Sequence, residues 1–250
     1  MALLDIQTAL GRLVRAPDGG SPYRLLSLDA QERSRLDALT QSAGFRFTVG
    51  VQRSWCVGRT MNAGSLTLSI LPDDVRRPLL DEWTNAGGGT SSFFAAEADA
   101  LLDFIANRLP DPSHELTACR LEQATLRANS ESSRFPAPDL GPLNTGSCVL
   151  RRGSHTAMVL FYGDPALIMP ALLKRLPLPP VSHEVTALLF APGIMGLFRS
   201  PSVDEARLWE RLAAPVALAD LMEEGYLREA LEAMLQAGAV EYGESPLDSI

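Results

Sequence analysis

Histidine and cysteine, the side chains that most often ligate metals or act as nucleophiles, are few and widely spaced in this chain. The histidines are His114, His155 and His183, and the sequence contains no Cys-x-x-Cys or His-x-x-x-His pair. Metal sites that can be recognised from sequence draw their ligands from such closely spaced pairs. The spacing therefore gives no support for a metal centre in this chain, and only a site assembled from distant residues stays open.

The three cysteines, Cys56, Cys119 and Cys148, give no sign of nucleophilic catalysis. Cys56 is flanked by Trp55 and Val57 and Cys119 lies in a helical pattern, which is typical of core thiols. The sequence also has no Gly-x-Ser-x-Gly turn, so we predict no catalytic residue. An odd number of distant cysteines without a signal peptide is typical of reduced thiols, and we expect a cytoplasmic protein.

A glycine-rich loop is the one motif that could bind a phosphate. Backbone N–H groups at the start of a helix attract anions, but this loop lacks the lysine of a nucleotide-binding P-loop. It also follows a helical pattern, whereas a dinucleotide-binding loop follows a strand. We therefore interpret it as a mobile loop with a helix cap and as a candidate contact with a partner protein. Its residues are Gly87, Gly88, Gly89, Thr90, Ser91 and Ser92.

The elements that would position these residues fall into two parts. Apolar residues recur at helical spacing over much of residues 3–128, although residues 45–69 are ambiguous between strand and helix. Ser, Pro, Gly and Asn then dominate the following stretch, which predicts a linker. We predict a helical domain over 1–130, a linker over 131–147 and a second domain over 148–250. No apolar stretch is long enough to span a membrane, so we expect no membrane association.

The second domain has the stronger local signals. Residues 148–162 are predicted to form a β-hairpin around Gly153 and Ser154. Ser202-Val203-Asp204-Glu205 is a capping box that begins a helix. A short helix over 216–224, a helix over 226–236 and a strand over 239–242 follow, in the order of a winged helix-turn-helix. The sequence thus predicts an α+β fold, with a helical N-terminal domain followed by a small antiparallel sheet and a winged-helix-like C-terminal domain.

The distribution of charge bears on the partner of this C-terminal domain. The chain carries a net charge of −8, with 22 basic and 30 acidic residues. Residues 203–250 hold 11 of the acidic residues and only three of the basic ones, so the rest of the chain is neutral. A recognition helix needs arginine or lysine near the phosphates. We therefore predict no nucleic-acid binding and expect a peptide or protein partner, since such a module can accept a peptide at a strand edge.

Several stretches of the chain resemble a known family. These are Arg53-Ser54-Trp55-Cys56-Val57-Gly58-Arg59, Leu71-Pro72, Leu79-Leu80-Asp81-Glu82-Trp83, Phe93-Phe94 with Leu101-Leu102-Asp103-Phe104, and Leu116-Thr117-Ala118-Cys119-Arg120-Leu121-Glu122-Gln123-Ala124. They resemble the helical N-terminal domain of partner proteins of multinuclear non-heme iron oxidative enzymes. Those partners act in the maturation of ribosomal peptide natural products, as in methanobactin and 3-thiaglutamate pathways. Residues 148–242 look like the winged-helix-like precursor-recognition domain of such partners.

The resemblance implies a non-catalytic subunit that holds no cofactor of its own. A separate TIM-barrel oxidase would hold iron and oxidise a cysteine of the precursor peptide, while this chain forms a heterodimer with it and binds the peptide's leader. We expect the leader to dock on a strand edge of the 148–162 hairpin, beside the helix over 226–236. Only one of two consecutive arginines can face such a groove, because strand residues alternate. The candidate peptide contacts are Arg151, Arg152, His155, Leu227 and Leu231.

Two other classes of protein stay open from the sequence. One is a winged-helix transcriptional regulator with an effector-binding helical domain, against which the acidic C-terminal charge argues. The other is an enzyme whose active site is assembled from distant residues.

Overall fold

The computed structural model describes residues 2–15, 28–88, 94–132, 135–136, 138–146 and 148–243. By its internal contacts the chain divides into two compact units, residues 1–108 and residues 109–250. Helices dominate the first unit and helices with two antiparallel sheets form the second, which confirms the α+β class.

The first unit is helical, and α3 is its central element. Residues 45–69, ambiguous in the sequence, are helical because Ser42 caps the start of α3: its side chain accepts a hydrogen bond from the Phe45 N–H. Helix α3 packs against α1, α2, α5 and α6. The helices are α1 (Ala2–Arg15), α2 (Ala30–Thr40), α3 (Ala43–Ala63), α4 (Ser65–Ile70), α5 (Asp73–Asn85) and α6 (Phe94–Ala106).

Two apolar surfaces hold the first unit together. Apolar residues of α1, α2 and α3, among them Leu13, Leu36 and Phe45, form one cluster. The other is the buried face of α6, where Leu102 and Ile105 are fully enclosed. The helical spacing of these residues had predicted the buried face of α6.

The second unit contains two three-stranded sheets, in the orders β5-β1-β6 and β2-β3-β4. All strand pairs are antiparallel. The elements are α7 (His114–Ser132), α8 (Gly141–Thr145), β1 (Val149–Arg152), β2 (Ala157–Tyr162), α9 (Pro165–Lys174), β3 (Val185–Phe190), β4 (Phe198–Arg199), α10 (Val203–Arg211), β5 (Val216–Ala217), α11 (Leu218–Glu223), α12 (Arg228–Gln236) and β6 (Val240–Gly243).

The predicted hairpin over 148–162 is wrong, because β1 and β2 belong to different sheets. β1 is the central strand between β5 and β6, whereas β2 pairs with β3. The connection between β1 and β2 forms one hydrogen bond to the residue before β6 and one to β3. The Gly153 N–H donates to the Ala239 carbonyl at 2.9 Å, and the Thr156 hydroxyl donates to the Phe190 carbonyl at 2.5 Å. A Gly-Ser turn thus marks a change of direction without fixing which strands pair.

The stretch predicted as a linker lies inside the second unit. Helix α7 packs against β2, and the Thr117 hydroxyl donates to the Leu160 carbonyl at 3.0 Å. Within 131–147, α8 buries Leu143 in the core formed with α10, α11 and α12. The contacts therefore divide the chain after residue 108 and not at 131–147, because α7 and the stretch after it pack on the sheets.

The capping signals of the C-terminal helices are confirmed. Ser202 and Glu205 form the capping box that begins α10, with the Glu205 N–H donating to Ser202 Oγ at 3.2 Å. Gly238, with a φ of +71°, follows the end of α12. Its N–H donates to the Leu235 carbonyl and the next N–H donates to the Met234 carbonyl, which is the Schellman pattern.

Candidate peptide-binding groove

The two consecutive arginines of β1 point to opposite faces, as strand alternation requires. Arg151 is exposed, and its Nη2 lies 2.8 Å from Glu241 Oε1. Arg152 donates from Nε and Nη2 to the Trp209 carbonyl, at 2.9 and 2.6 Å, and its guanidinium lies 4.5 Å from the centre of the Trp209 ring. Burial lowers the pKa of Arg152. Arg152 therefore ties β1 to α10, and Arg151 is the one that faces solvent.

The remaining predicted peptide contacts lie in different environments. His155 Nδ1 lies 3.3 Å from Ser130 Oγ on α7. Leu227, the residue before α12, is 53% exposed. Leu231 is fully buried in the core, so it stabilises the unit and presents no surface to a peptide.

The first glycines of the predicted partner loop have a local structural role. Gly87 and Gly88 end α5: their N–H groups donate to the Thr84 and Trp83 carbonyls at 3.0 and 2.9 Å. Gly87 has a φ of +87°, and Gly88 lies directly against the Trp83 ring, where a Cβ would clash. Gly89, Thr90, Ser91 and Ser92 lie outside the described residues.

The three cysteines are buried or half-buried thiols. Cys56 and Cys119 are buried, which confirms that they are core thiols. Cys148 is half-buried, and burial raises the pKa of its thiol. A reactive cysteine needs a lowered pKa.

A groove of about 790 Å³ lies in the second unit, at the C-terminal end of α12. One wall is the stretch before α8 and the other is the loop between β3 and β4. Among the described residues that line it, none carries a charge, and most are apolar or proline. They are Ser132, Phe135, Pro136, Pro138, Leu140, Pro192, Gly193, Ile194, Met195, Gly196, Leu197 and Gln236.

Two glycines make room for the aromatic ring in the first wall. A Cβ on Gly238 would lie 2.5 Å from Phe135 Cε2, and a Cβ on Gly193 would lie 2.8 Å from Phe135 Cε1. The Gly193 N–H also donates to the Ala237 carbonyl at 2.9 Å, which fixes the second wall to the end of α12. The ring thus packs against two backbone segments at once, which joins the two walls.

The second wall is the tight loop between β3 and β4, from which the Met195 side chain extends into solvent. The Ala191 N–H donates to the Leu197 carbonyl at 3.0 Å and the Leu197 N–H donates to the Ile194 carbonyl at 2.8 Å. Gly196 and Leu197 have φ values of +80° and +73°, and a positive φ is unusual for leucine. Met195, at the tip, is 98% exposed. A flexible, polarisable methionine at the mouth of an apolar groove suits contact with varied side chains.

Charge outside the groove follows the distribution in the sequence. The three arginines of α10–α12 each face an acidic residue of the same segment: Arg207 with Asp204, Arg211 with Glu224 and Arg228 with Glu232. The hydrogen bond from Arg211 lowers the pKa of Glu224. The basic charge of these helices is thereby neutralised, and the surplus of acidic residues stays on this part of the unit.

The sequence interpretation missed Phe135 and Met195. Phe135 lies in a stretch whose composition predicts a linker, and Met195 lies where Pro192, Gly193 and Gly196 interrupt an apolar segment. Those three interruptions were the available signal, because a proline-glycine break between two apolar runs marks a tight loop.

Among the residues that the structure describes, no three or more His, Cys, Asp or Glu side chains are grouped so that they could hold a metal ion. No helix in the described ranges is long and apolar enough to cross a membrane.

The chain matches no protein-family model, and a search of curated proteins found no significant match.

Proposed function

We propose that this chain is a non-catalytic partner subunit in the maturation of a ribosomal peptide. It binds the leader of the precursor peptide and an iron-dependent TIM-barrel oxidase, and so presents a peptide cysteine for oxidation. The observation that carries this proposal is the groove whose described lining side chains are uncharged and mostly apolar, with the exposed Met195 at its mouth. Apolar grooves with few polar groups are the usual form of binding sites for small ligands and peptide side chains.

The order of elements around the groove supports a peptide-recognition module. Helix α10, strand β5, helices α11 and α12 and strand β6 follow one another as in a winged helix, and β1 occupies the central position of the sheet. Helices α10–α12 and this sheet share one core. We assign the module to the winged-helix-like class of precursor-recognition domains.

The groove also suggests what kind of leader would bind. Its lining favours a segment with apolar side chains, while the acidic surplus of α10–α12 favours neutral or basic residues on either side of that segment. We place the leader here, at the end of α12 and beside the start of β6. The edge of β1 is a poorer place, because β5 and β6 flank that strand.

In this proposal the oxidase supplies the iron, and this chain acts by binding and orientation. Holding the peptide close to a second protein raises its local concentration and removes unproductive orientations. The complex would form in the cytoplasm.

The groove can be tested by changing Met195, whose exposure means that a substitution should leave the fold intact. We expect Met195→Glu to weaken leader binding about tenfold or more, since a carboxylate at the mouth would lose hydration when an apolar segment enters. Met195→Leu should retain most of the affinity. The measurement is fluorescence anisotropy with the labelled leader of the precursor peptide that co-purifies with the chain.

Val203→Glu is the matched control, since Val203 is also exposed, at 78%, in the same unit but outside the groove. Equal affinities for wild type and Met195→Glu would contradict this placement of the leader. An equal loss in both variants would mean that added charge alone explains the effect.

The winged-helix order of these elements also occurs in transcriptional regulators, so a regulator is the second candidate function. Its prediction is distinct: the purified chain would bind its own promoter DNA, with an affinity that falls steeply as salt is raised. The acidic α12 makes us expect no such binding, since its acidic residues would repel the phosphates.

A further inference from the structure

We infer that Met195, at the mouth of the groove, is a site of reversible oxidation to the sulfoxide by hydrogen peroxide, and that this modification weakens peptide binding. The oxidation is argued from the exposure and the setting of the side chain. Its effect on the leader rests on the proposed function, because it requires that the leader bind in the groove.

Met195 is the most accessible of the six methionines that the structure describes. It is 98% exposed, whereas none of the other five exceeds 46%. A peroxide must reach the thioether sulfur in order to oxidise it, so exposure decides which methionine reacts first. We therefore expect Met195 to react ahead of the others. These are Met61, Met158, Met169, Met222 and Met234.

Hydrogen bonds hold the backbone on both sides of Met195, so its exposure belongs to the folded state. The Gly193 N–H donates to the Ala237 carbonyl at 2.9 Å, before the tip of the loop. The Leu197 N–H donates to the Ile194 carbonyl at 2.8 Å, across the tip. Leu197 also has a positive φ, a strained conformation for leucine that persists only where surrounding contacts maintain it. The loop thus presents the thioether to solvent in a fixed position.

The thiols of the chain are poorer targets for a peroxide than this thioether. Cys56 and Cys119 are buried. Burial raises the pKa of the half-buried Cys148 thiol. The thiolate is the form that reacts with peroxides, so a raised pKa slows the reaction of Cys148. Exposed methionine, and not cysteine, is therefore the sulfur that we expect to be oxidised first.

The proposed step transfers one oxygen atom to the Met195 sulfur. A lone pair of Sδ attacks one oxygen of hydrogen peroxide, an S–O bond forms and the O–O bond breaks. The sulfur loses two electrons, and the departing hydroxide takes the proton from the transferred oxygen, which leaves the sulfoxide and water. A methionine sulfoxide reductase reverses the change. Two thiols supply its electrons and become a disulfide, and the oxygen leaves as water.

The sulfoxide would make the mouth of the groove polar. A peptide segment with apolar side chains that covers the new oxygen removes its hydration, which is unfavourable unless a hydrogen-bond donor replaces the water. Of the described side chains that line the groove, only Ser132 and Gln236 could donate to it. The Ser132 hydroxyl already donates to the Asn129 carbonyl at 3.2 Å. Oxidation is therefore expected to weaken the binding of an apolar segment.

The test treats the full-length chain with hydrogen peroxide and follows each methionine by peptide mass spectrometry. We expect Met195 to be oxidised about tenfold faster than Met61 or Met222, because its sulfur is the most accessible. Bound leader should slow the oxidation of Met195, since the peptide covers this side chain. Fluorescence anisotropy with the labelled leader compares affinity before and after treatment, and thermal unfolding checks that the fold is kept.

Two variants separate Met195 from the other methionines. Met195→Leu keeps an apolar side chain that a peroxide does not oxidise, and Met222→Leu removes an exposed methionine of the same unit outside the groove. We expect treatment to weaken leader binding about tenfold in wild type and in Met222→Leu, since both form the sulfoxide at the groove. Treated and untreated Met195→Leu should bind the leader equally, and the reductase should restore the affinity of treated wild type.

The possible failures are distinguishable. If Met61 or Met222 is oxidised as fast as Met195, the inference is overturned. It is also overturned if treated and untreated wild type bind the leader equally, or if treatment weakens Met195→Leu as much as wild type, although the proposed function survives both results. If untreated wild type binds no leader, the proposed function fails and the effect on binding fails with it, while mass spectrometry still decides whether Met195 is the oxidised site.

Discussion

Glu205 is an almost fully buried carboxylate that connects the β4 strand to the start of α10. Its Oε2 accepts hydrogen bonds from Arg199 Nη1 at 2.6 Å and from the Ser202 N–H at 2.8 Å. These hydrogen bonds, that from Arg199 foremost, hold the pKa of Glu205 below its ordinary value of 4.5. A carboxylate with a lowered pKa stabilises the fold at neutral pH, and its contribution is lost as pH falls through the pKa of the folded state.

We therefore expect Glu205→Gln to lower the free energy of unfolding by about 1–2 kcal/mol at pH 7, since Arg199 is partly exposed and the ion pair is screened. The gap between variant and wild type should begin to shrink below pH 4.5, where the unfolded-state carboxylate binds a proton, and should be lost as pH falls through the lowered pKa of the folded state. Urea unfolding at pH 7, 5 and 3.5 measures it. Glu224→Gln is the control, because Glu224 forms an exposed pair with Arg211 and should matter little. A gap that stays constant with pH would contradict the assigned role of Glu205.

For single residues, the sequence indicated whether several side chains face the core or solvent, but not which groups they contact. Alternation along β1 predicted that Arg151 and Arg152 face opposite ways, and they do. It could not predict that Arg152 would be bound to the Trp209 carbonyl, because that contact depends on how α10 packs on the sheet. Leu231, a predicted peptide contact, is buried in the core, which agrees better with its helical spacing among apolar residues.

Among the structural elements, the groove depends on the end of α12, where Gly238 lies against Phe135. Gly238→Ala should displace the Phe135 ring, which a Cβ would meet at 2.5 Å, and should destabilise the second unit by about 1–3 kcal/mol beyond the cost of the positive φ. Leader binding should weaken as well, since Phe135 lines the groove. Thermal and urea unfolding with peptide titration provide the measurements.

Gly146→Ala is the matched control for this prediction. Gly146 has a φ of +76°, close to that of Gly238, but a Cβ there would meet nothing within 4 Å. It carries the same conformational cost without the clash. Equal destabilisation by the two substitutions would contradict the role of the Phe135 contact.

Helix boundaries were predictable where side chains mark them, and strand pairing was not. The capping box predicted at Ser202 is confirmed, and Gly238, which ends α12, is a local signal of the same kind. The pairing partners of β1 and β2 lie far along the chain: β1 pairs with β5 and β6, and β2 pairs with β3. Alternating apolar residues predict that a strand exists, but they do not identify its neighbour.

The groove could not be predicted from the sequence either, because it also depends on contacts between residues far apart in the chain. Phe135 lies just before Pro136 and Pro138 in a stretch typical of a linker, and its position depends on Gly193 and Gly238. Residues 45–69 show the opposite case, where a strand-like alternation gives way to a capped helix that packs centrally in the first unit.

For the molecule as a whole, the proposed peptide groove lies within the unit of residues 109–250. A chain that holds a peptide beside a second protein can raise the local concentration of one for the other without chemistry of its own. The net charge of −8 says little by itself, whereas its concentration after residue 203 bears on the choice between DNA and peptide.

Under the proposed function, we expect the oxidase to need this chain in order to modify its precursor peptide. The most direct measurement is the rate of peptide oxidation by the purified iron-loaded oxidase, with and without the chain, at a peptide concentration below saturation. We predict modification only when the chain is present, and a slower rate when the Met195→Glu variant replaces it. Full turnover by the oxidase alone would contradict the claim.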